Sequence, residues 1–245
     1  MDSAIEKTLS SVRSRHINGI FAATFEEANQ KILALIPGEA TVAIGDSTTL
    51  WQLGVLRALR ERGTKILNPF EPWDKAVPVE AFRKKNQQAR REATLSDVFL
   101  TGTNALTQDG RLINLDATGN RVAGMFWGHP LSLVVVGKNK IVKNLEEGLE
   151  RVRKIIAPTH FRVRSAELGG RKRETPCVST GECADCRSAA RGCNVFTIIE
   201  GKPTETNLNV ILVDQDLGLG WDPSWPEERI KKIRESYKKS VWVGV

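Results

Sequence analysis

Three times along the chain a short, mostly apolar run ends abruptly in a turn built from glycine, hydroxyl and Asx residues. Residues 41–44 run into Gly45-Asp46-Ser47-Thr48-Thr49, residues 97–101 into Gly102-Thr103-Asn104, and residues 112–115 into Asp116-Ala117-Thr118-Gly119-Asn120. Each run reads as a strand that leads directly into its polar turn. Further strands are expected at 65–67, 131–136, 195–200 and 208–213, and helices over 3–15, 24–36, 49–62, 79–94, 121–127, 145–157 and from the capping pair Ser224-x-x-Glu227 onward. Thr24 with Glu27, and Asn144 with Glu147, have the spacing of reciprocal helix caps. Pro37-Gly38, Gly63 and Pro158 are the expected stops. The alternation predicts an α/β fold with a mostly parallel sheet flanked by helices. Residues 1–38 are expected to form N-terminal helices, and residues 39–245 one α/β domain interrupted by a cysteine-bearing loop at about 159–193. The apolar tail, residues 240–245, reads as an edge strand or as an interface, the latter admitting a homo-oligomer.

All four cysteines fall in one stretch, Cys177, Cys183, Cys186 and Cys193, with the spacing C-x5-C-x2-C-x6-C. Their neighbours Ser179, Gly181, Asp185, Ser188 and Gly192 belong to loops rather than cores. Three chemistries compete. A 4Fe–4S cluster, one thiolate per iron, suits a central close pair with two outlying thiols and is preferred. Zinc comes second, because all-cysteine zinc sites are usually built from two close pairs and only one is present. Disulfides come third, since the N-terminus has no basic-then-apolar export signature and a cytoplasmic location is expected. In either metal reading the metal could serve as a staple alone.

Net charge is +7 and the isoelectric point about 9.4. Two clusters carry much of it: Arg83-Lys84-Lys85 with Arg90-Arg91, and a series from Arg151 through Arg164 to Arg171-Lys172-Arg173. No nucleic-acid module is present and no aromatics are interleaved for base stacking, so nucleic acid is not the expected partner. An anionic small molecule or an acidic protein partner fits better. No apolar run approaches the ~20 residues that cross a bilayer, and no membrane association is expected.

Ligands of open α/β sheets sit beyond the carboxyl ends of the strands. The three polar turns therefore nominate Gly45, Asp46, Ser47, Thr48, Gly102, Thr103, Asn104, Gly119 and Asn120 as a binding site for a phosphate- or carboxylate-bearing small molecule. Helix capping alone is the competing explanation of the same residues. Among the histidines, His16 reads as a surface residue, His160 stands at the entry to the cysteine loop, and His129, in Trp127-Gly-His-Pro130, is the preferred acid/base candidate. Asp46, Asp109 and Asp116 are candidate carboxylates, Asp116 foremost, against a competing role in turns.

Three blocks together carry a family resemblance: Gly45-Asp-Ser-Thr-Thr-Leu-x-x-Leu-Gly54, Thr101-Gly-Thr-Asn-Ala-Leu-Thr-Gln-Asp-Gly-Arg-Leu112 and Asp116-x-Thr-Gly-Asn-Arg-Val122. They resemble the LUD domain, the family of lactate utilisation protein C, over about residues 20 to 215. The stretch 175–194 resembles a cysteine-bearing branch of it, and Asp46 stands where the family's first loop usually has glycine. The resemblance implies a fold like that of the sugar-phosphate isomerases and CoA transferases, in which the same loops hold phosphates, carboxylates or acyl groups. It also implies an accessory oxidoreductase component in L-lactate oxidation to pyruvate, working beside iron–sulfur or other redox partner proteins. The alternative is an isomerase- or transferase-like enzyme for a sugar phosphate, nucleotide or acyl-CoA, with a structural zinc.

Overall fold

The structure is a computed structural model, and it describes residues 2–170 and 174–244. Arg171, Lys172 and Arg173, the end of the second basic series, lie outside the described residues, as does Val245. Six parallel strands form the main sheet: β1 (Asn18–Ala22), β2 (Val42–Ile44), β3 (Ile66–Leu67), β4 (Val98–Gly102), β7 (Leu131–Gly137) and β10 (Asn207–Val213), in the order β1-β10-β7-β4-β2-β3. Successive residues of each central strand serve opposite faces. Leu133, Val135, Ile211 and Val213 pack on one side with α2 (Phe25–Leu35), α3 (Thr48–Leu53) and α4 (Val55–Glu61). Val134, Val136, Val210 and Leu212 pack on the other with α1 (Ser3–Ser14) and Met125 of α6 (Asn120–Phe126). Because both faces are covered, the strands tolerate no polar alternation, which is the pattern their sequences show.

A second, four-stranded sheet departs from the expected single one. It consists of β5 (Ala105–Thr107), β6 (Leu112–Asp116), β8 (Ile141–Val142) and β9 (Val195–Ile199), in the order β8-β5-β6-β9, with antiparallel pairs on both sides of β6. Residues 112–115 and 195–199 are strands, as expected, but they belong to this smaller sheet. One of its faces, with Leu106 and Leu112, joins the second core of the main sheet, while Ala105, Ile113 and Val142 face a third core with Val152, Ile156, Leu219 and Tyr237.

Five further expectations are corrected. Residues 1–38 contribute β1 as well as two helices, and β1 is an edge strand registered on β10 through the pair Ile20 and Ile211. The helix expected over 49–62 breaks at Gly54, whose φ of 73° is left-handed and open to glycine without a Cβ clash, giving α3 and α4. Pro158 does not end its helix. Helical structure runs on from 145 to 167: α7 (Leu145–Arg151), a wide five-residue turn (Val152–Ile156), α8 (Ala157–Arg162) and a second wide turn (Val163–Glu167). Proline has no N–H to donate, and it stands at the second position after the wide turn, where the ordinary ladder is already interrupted. The irregular cysteine stretch therefore begins near residue 168, and Cys177 sits in the short helix α9 (Pro176–Thr180). The last helix starts not from the expected cap at Ser224 but at Glu227, behind Pro226. Among the described residues of the tail, 241–244 form no strand and instead fold against the rest of the chain.

Candidate functional site

The carboxyl ends of β2, β4 and β7 open onto a cavity of about 410 Å³. The smaller sheet, the helix over 145–167, α5 (Val79–Glu92) and α10 (Glu227–Ser240) complete its walls. Of the nominated binding residues, Asp46, Ser47, Thr48, Gly102, Thr103, Asn104 and Asn120 line it, as does Asp116. Gly45 and Gly119 do not line it. A Cβ on Gly45 would come within 2.5 Å of Thr101 Oγ1, and one on Gly102 within 2.6 Å of Ser47 Oγ, so the first two loops meet through absent side chains.

The side chain that joins the loops is Arg121, which the sequence reading did not nominate. All five of its N–H donors are used. Nε donates to Asp116 Oδ2 at 3.1 Å, Nη1 to the Gly102 carbonyl at 3.1 Å and to Asn114 Oδ1 at 2.8 Å, and Nη2 to Asn104 Oδ1 at 3.1 Å and the Leu115 carbonyl at 3.0 Å. Asp116 is equally committed: its Oδ1 also accepts from the Thr118 and Gly119 amides at 3.0 and 2.7 Å. The candidate carboxylate is thus a turn-former and a buried ion-pair partner. Asn104 Oδ1 further accepts the Leu115 amide at 2.9 Å.

Other cations are not saturated. Arg83, Asn86 and Arg90 recur at helical spacing on one face of α5 and all line the cavity. Arg90 lies 5.5 Å over the Phe70 ring, and its Nε is buried with no hydrogen-bond partner. Arg164 stacks at 5.0 Å on Trp242 and lies 3.7 Å from Asp46 Oδ2. Burial raises the Asp46 carboxyl above its usual range, with Arg164 and then Arg121 opposing the shift. Lys140, just past β7, is 5% exposed and donates from Nζ to Thr49 Oγ1 at 2.9 Å and to the Thr103 carbonyl at 2.8 Å. Five basic side chains against two carboxylates leave the wall net positive.

On the opposite wall Tyr237 of α10 is 4% exposed, and its hydroxyl is 2.5 Å from His160 Nδ1. Arg164 Nη1 is 3.2 Å from His160 Nε2. A guanidinium only donates, so Nε2 accepts, and Nδ1 carries the proton toward the tyrosine. Burial pushes the Tyr237 phenol further above its ordinary range. The tail covers the adjoining rim: Trp242 packs edge-on to Phe70 at 5.3 Å and donates from Nε1 to the Glu71 carbonyl at 3.2 Å.

His129 is not in this cavity. It is 3% exposed, stacks on Phe99 at 4.9 Å, and its Nδ1 lies 3.1 Å from Ser96 Oγ and 3.0 Å from the Ser96 carbonyl, beside a separate groove of about 810 Å³. Burial lowers its pKa, only partly offset by the Ser96 carbonyl, so the ring is neutral. Asp109 is a surface residue paired with Arg111 and, at 3.7 Å, with Arg15. His16 is exposed at the end of α1 with a φ of 60°.

The cysteine stretch borders the cavity. Cys193 and Gly192 line it, and the stretch is tied to the third polar turn where the Asn194 amide donates to the Asp116 carbonyl at 3.0 Å and Asn194 Nδ2 to the Ala117 carbonyl at 3.0 Å. All four cysteines are free thiols; Cys183 is exposed and the others half-buried. Burial first, then the neighbouring Cys177 and Cys183, push the Cys193 thiol up to about 11. Among the described residues no three His, Cys, Asp or Glu side chains converge closely enough to hold a metal ion. The donor set itself, four soft thiols on one segment, fits iron–sulfur or zinc chemistry. No helix among the described residues is long and apolar enough to cross a membrane.

In comparisons with known proteins, the family model of the LUD domain matches residues 5–213. No curated protein matches the chain. Among solved structures, a DUF162 family protein from Deinococcus radiodurans is similar at 17% identity, covering 86% of this chain and 96% of its own, with a TM-score of 0.47.

Proposed function

The chain belongs to the LUD-domain family, related to lactate utilisation, and from that premise we propose that it is an accessory oxidoreductase component in L-lactate oxidation to pyruvate. Cys177, Cys183, Cys186 and Cys193 would hold a 4Fe–4S cluster, which supplies one-electron transfer when bound. The observation that carries the reading is the position of the thiol segment: its last cysteine forms part of the wall of the net-positive cavity, and Asn194 ties it to the turn that Arg121 braces. The chain's own part is to gather an anionic small molecule at the carboxyl ends of the strands and to present the thiol segment beside it. The exposed arginines and lysines of α5 favour an acidic redox partner.

Purification without oxygen tests this directly. The expected product is a brown protein with about four irons per chain, bleached on replacing Cys183 and Cys186 by serine. Colourless, iron-free material carrying one zinc per chain would overturn it and favour the second reading, an isomerase- or transferase-like enzyme for a sugar phosphate, nucleotide or acyl-CoA with a structural zinc. That second reading draws on the unpartnered Arg90 Nε, a buried donor suited to a ligand's oxyanion.

A further inference from the structure

We propose that Lys140 is a carbonyl-binding nucleophile: its Nζ, held in the cavity wall by Thr49 Oγ1 and the Thr103 carbonyl, is placed to form an imine with a small aldehyde or ketone that also bears a carboxylate or phosphate. The inference rests on the reading of the cavity as an anion site.

Four observations converge on this amine. It is buried, and among the described residues no carboxylate pairs with it. Asp116 is spent on Arg121 and two amides, and Asp46 is drawn toward Arg164. Its hydrogen bonds suit the neutral form. A carbonyl can only accept, so one N–H goes to Thr103; the Thr49 hydroxyl takes the second, and the lone pair remains. The charged form would add a third N–H, for which the described residues supply no further bond.

The backbone is shaped to the amine as well. Gly218 has a φ of 68°, and a Cβ there would lie 2.7 Å from Nζ and 2.6 Å from Thr49 Oγ1. Only glycine leaves that approach unfilled. Finally, the fixed positive charge of Arg121 disfavours a second cation beside it. With burial as the larger cause and Arg121 as the second, the pKa falls from 10.5 to about 7, so neutral amine is abundant at physiological pH.

The step balances without a redox reagent. The Nζ lone pair adds to the carbonyl carbon and the C=O π pair moves to oxygen; nitrogen gives up one proton as oxygen takes one, giving the neutral carbinolamine. The remaining nitrogen lone pair then forms C=N as the C–O bond breaks, and the hydroxyl leaves as water with the second N–H proton. The net change is amine plus carbonyl to imine plus water, reversible by hydrolysis. Arg90 lines the same cavity, and its guanidinium would be the donor for the carboxylate or phosphate of such a molecule.

The test uses the full chain, glyoxylate as the probe, and borohydride to trap any imine, followed by peptide mass mapping. At pH 7 an exposed lysine is only about one part in a few thousand neutral. Lys140 should therefore be modified on the order of tenfold or more ahead of the exposed lysines, and inorganic phosphate should protect it. Label spread over exposed lysines and absent from Lys140, while phosphate still shifts the melting temperature, would sink the nucleophile and leave the anion cavity standing. No label at Lys140 and no shift with either anion would remove both. Label at Lys140 that phosphate fails to reduce would keep the nucleophile and overturn its coupling to an anion site. Because protection is read on the native chain, the outcome does not depend on a Lys140→Arg variant folding.

Discussion

Arg121 and Arg90 line the same cavity, yet they should answer mutation in opposite ways. Arg121→Ala removes five hydrogen bonds and strands the buried Asp116 carboxylate, a loss of about 3–5 kcal/mol by analogy with other broken buried pairs. Urea denaturation should show it. Arg90→Met gives up a half-buried charge with an unbonded Nε, so stability should stay within about 1 kcal/mol while phosphate affinity, followed by calorimetry, drops on the order of tenfold.

Lys140 makes a pH prediction. Its folded pKa is lowered to about 7, whereas an unfolded lysine keeps its proton up to about 10.4. Between those values the unfolded chain holds more protons, so stability rises with pH across the window; below about 7 both states are protonated and the full penalty applies. From pH 7 to pH 9 the native chain should gain about 2 kcal/mol relative to Lys140→Met, read as the difference between their urea midpoints, in which the other titrating groups such as Cys193 cancel. None of these cations was singled out as a site residue, although Arg90 and Arg164 belong to the two basic clusters from which an anionic small molecule or an acidic partner was expected. The polar turns announce themselves because glycine, hydroxyl and Asx residues are adjacent in the chain. Arg90, Arg164 and Lys140 come from three distant segments and read locally as solvated charge. Lys140 had one usable signal, its place just past the carboxyl end of β7.

Among the elements, the helix starts were the most legible. The Glu27 amide donates to Thr24 Oγ1 at 3.2 Å, and the Glu147 amide to Asn144 Oδ1 at 2.9 Å, because a cap is decided by residues three apart. The passage through Pro158 was not legible, since a wide turn is set by packing against the third core. Helix α6 matters most to the cavity because it carries Arg121. It is seated through Gly124, where a Cβ would come within 2.7 Å of three atoms of the Phe99 ring, itself stacked on His129. Gly124→Ala should therefore displace the ring and cost about 1–3 kcal/mol despite alanine's better helix propensity. The thermal midpoint should fall and phosphate affinity weaken with it. Removing the His129 ring should lower stability without changing anion affinity, since that side chain serves the Phe99 packing.

Across the whole molecule, the main sheet was readable from the alternation of apolar strands with helices. Its division from a second sheet was not. β5 and β8 span only 105–107 and 141–142, too short to show a period, and β6 and β9 look locally like any other strand. The thiol segment stands apart from all three cores, none of which contains a cysteine. Replacing all four cysteines by serine should therefore abolish metal binding yet keep metal-free stability within about 1 kcal/mol of the native chain, as measured by denaturant titration.

The tail reaches the cavity as well: Trp242 leans on Phe70 beneath Arg164, and Gly244 borders the opening. Any segment joined to residue 244 would therefore stand beside that opening and compete with whatever enters it.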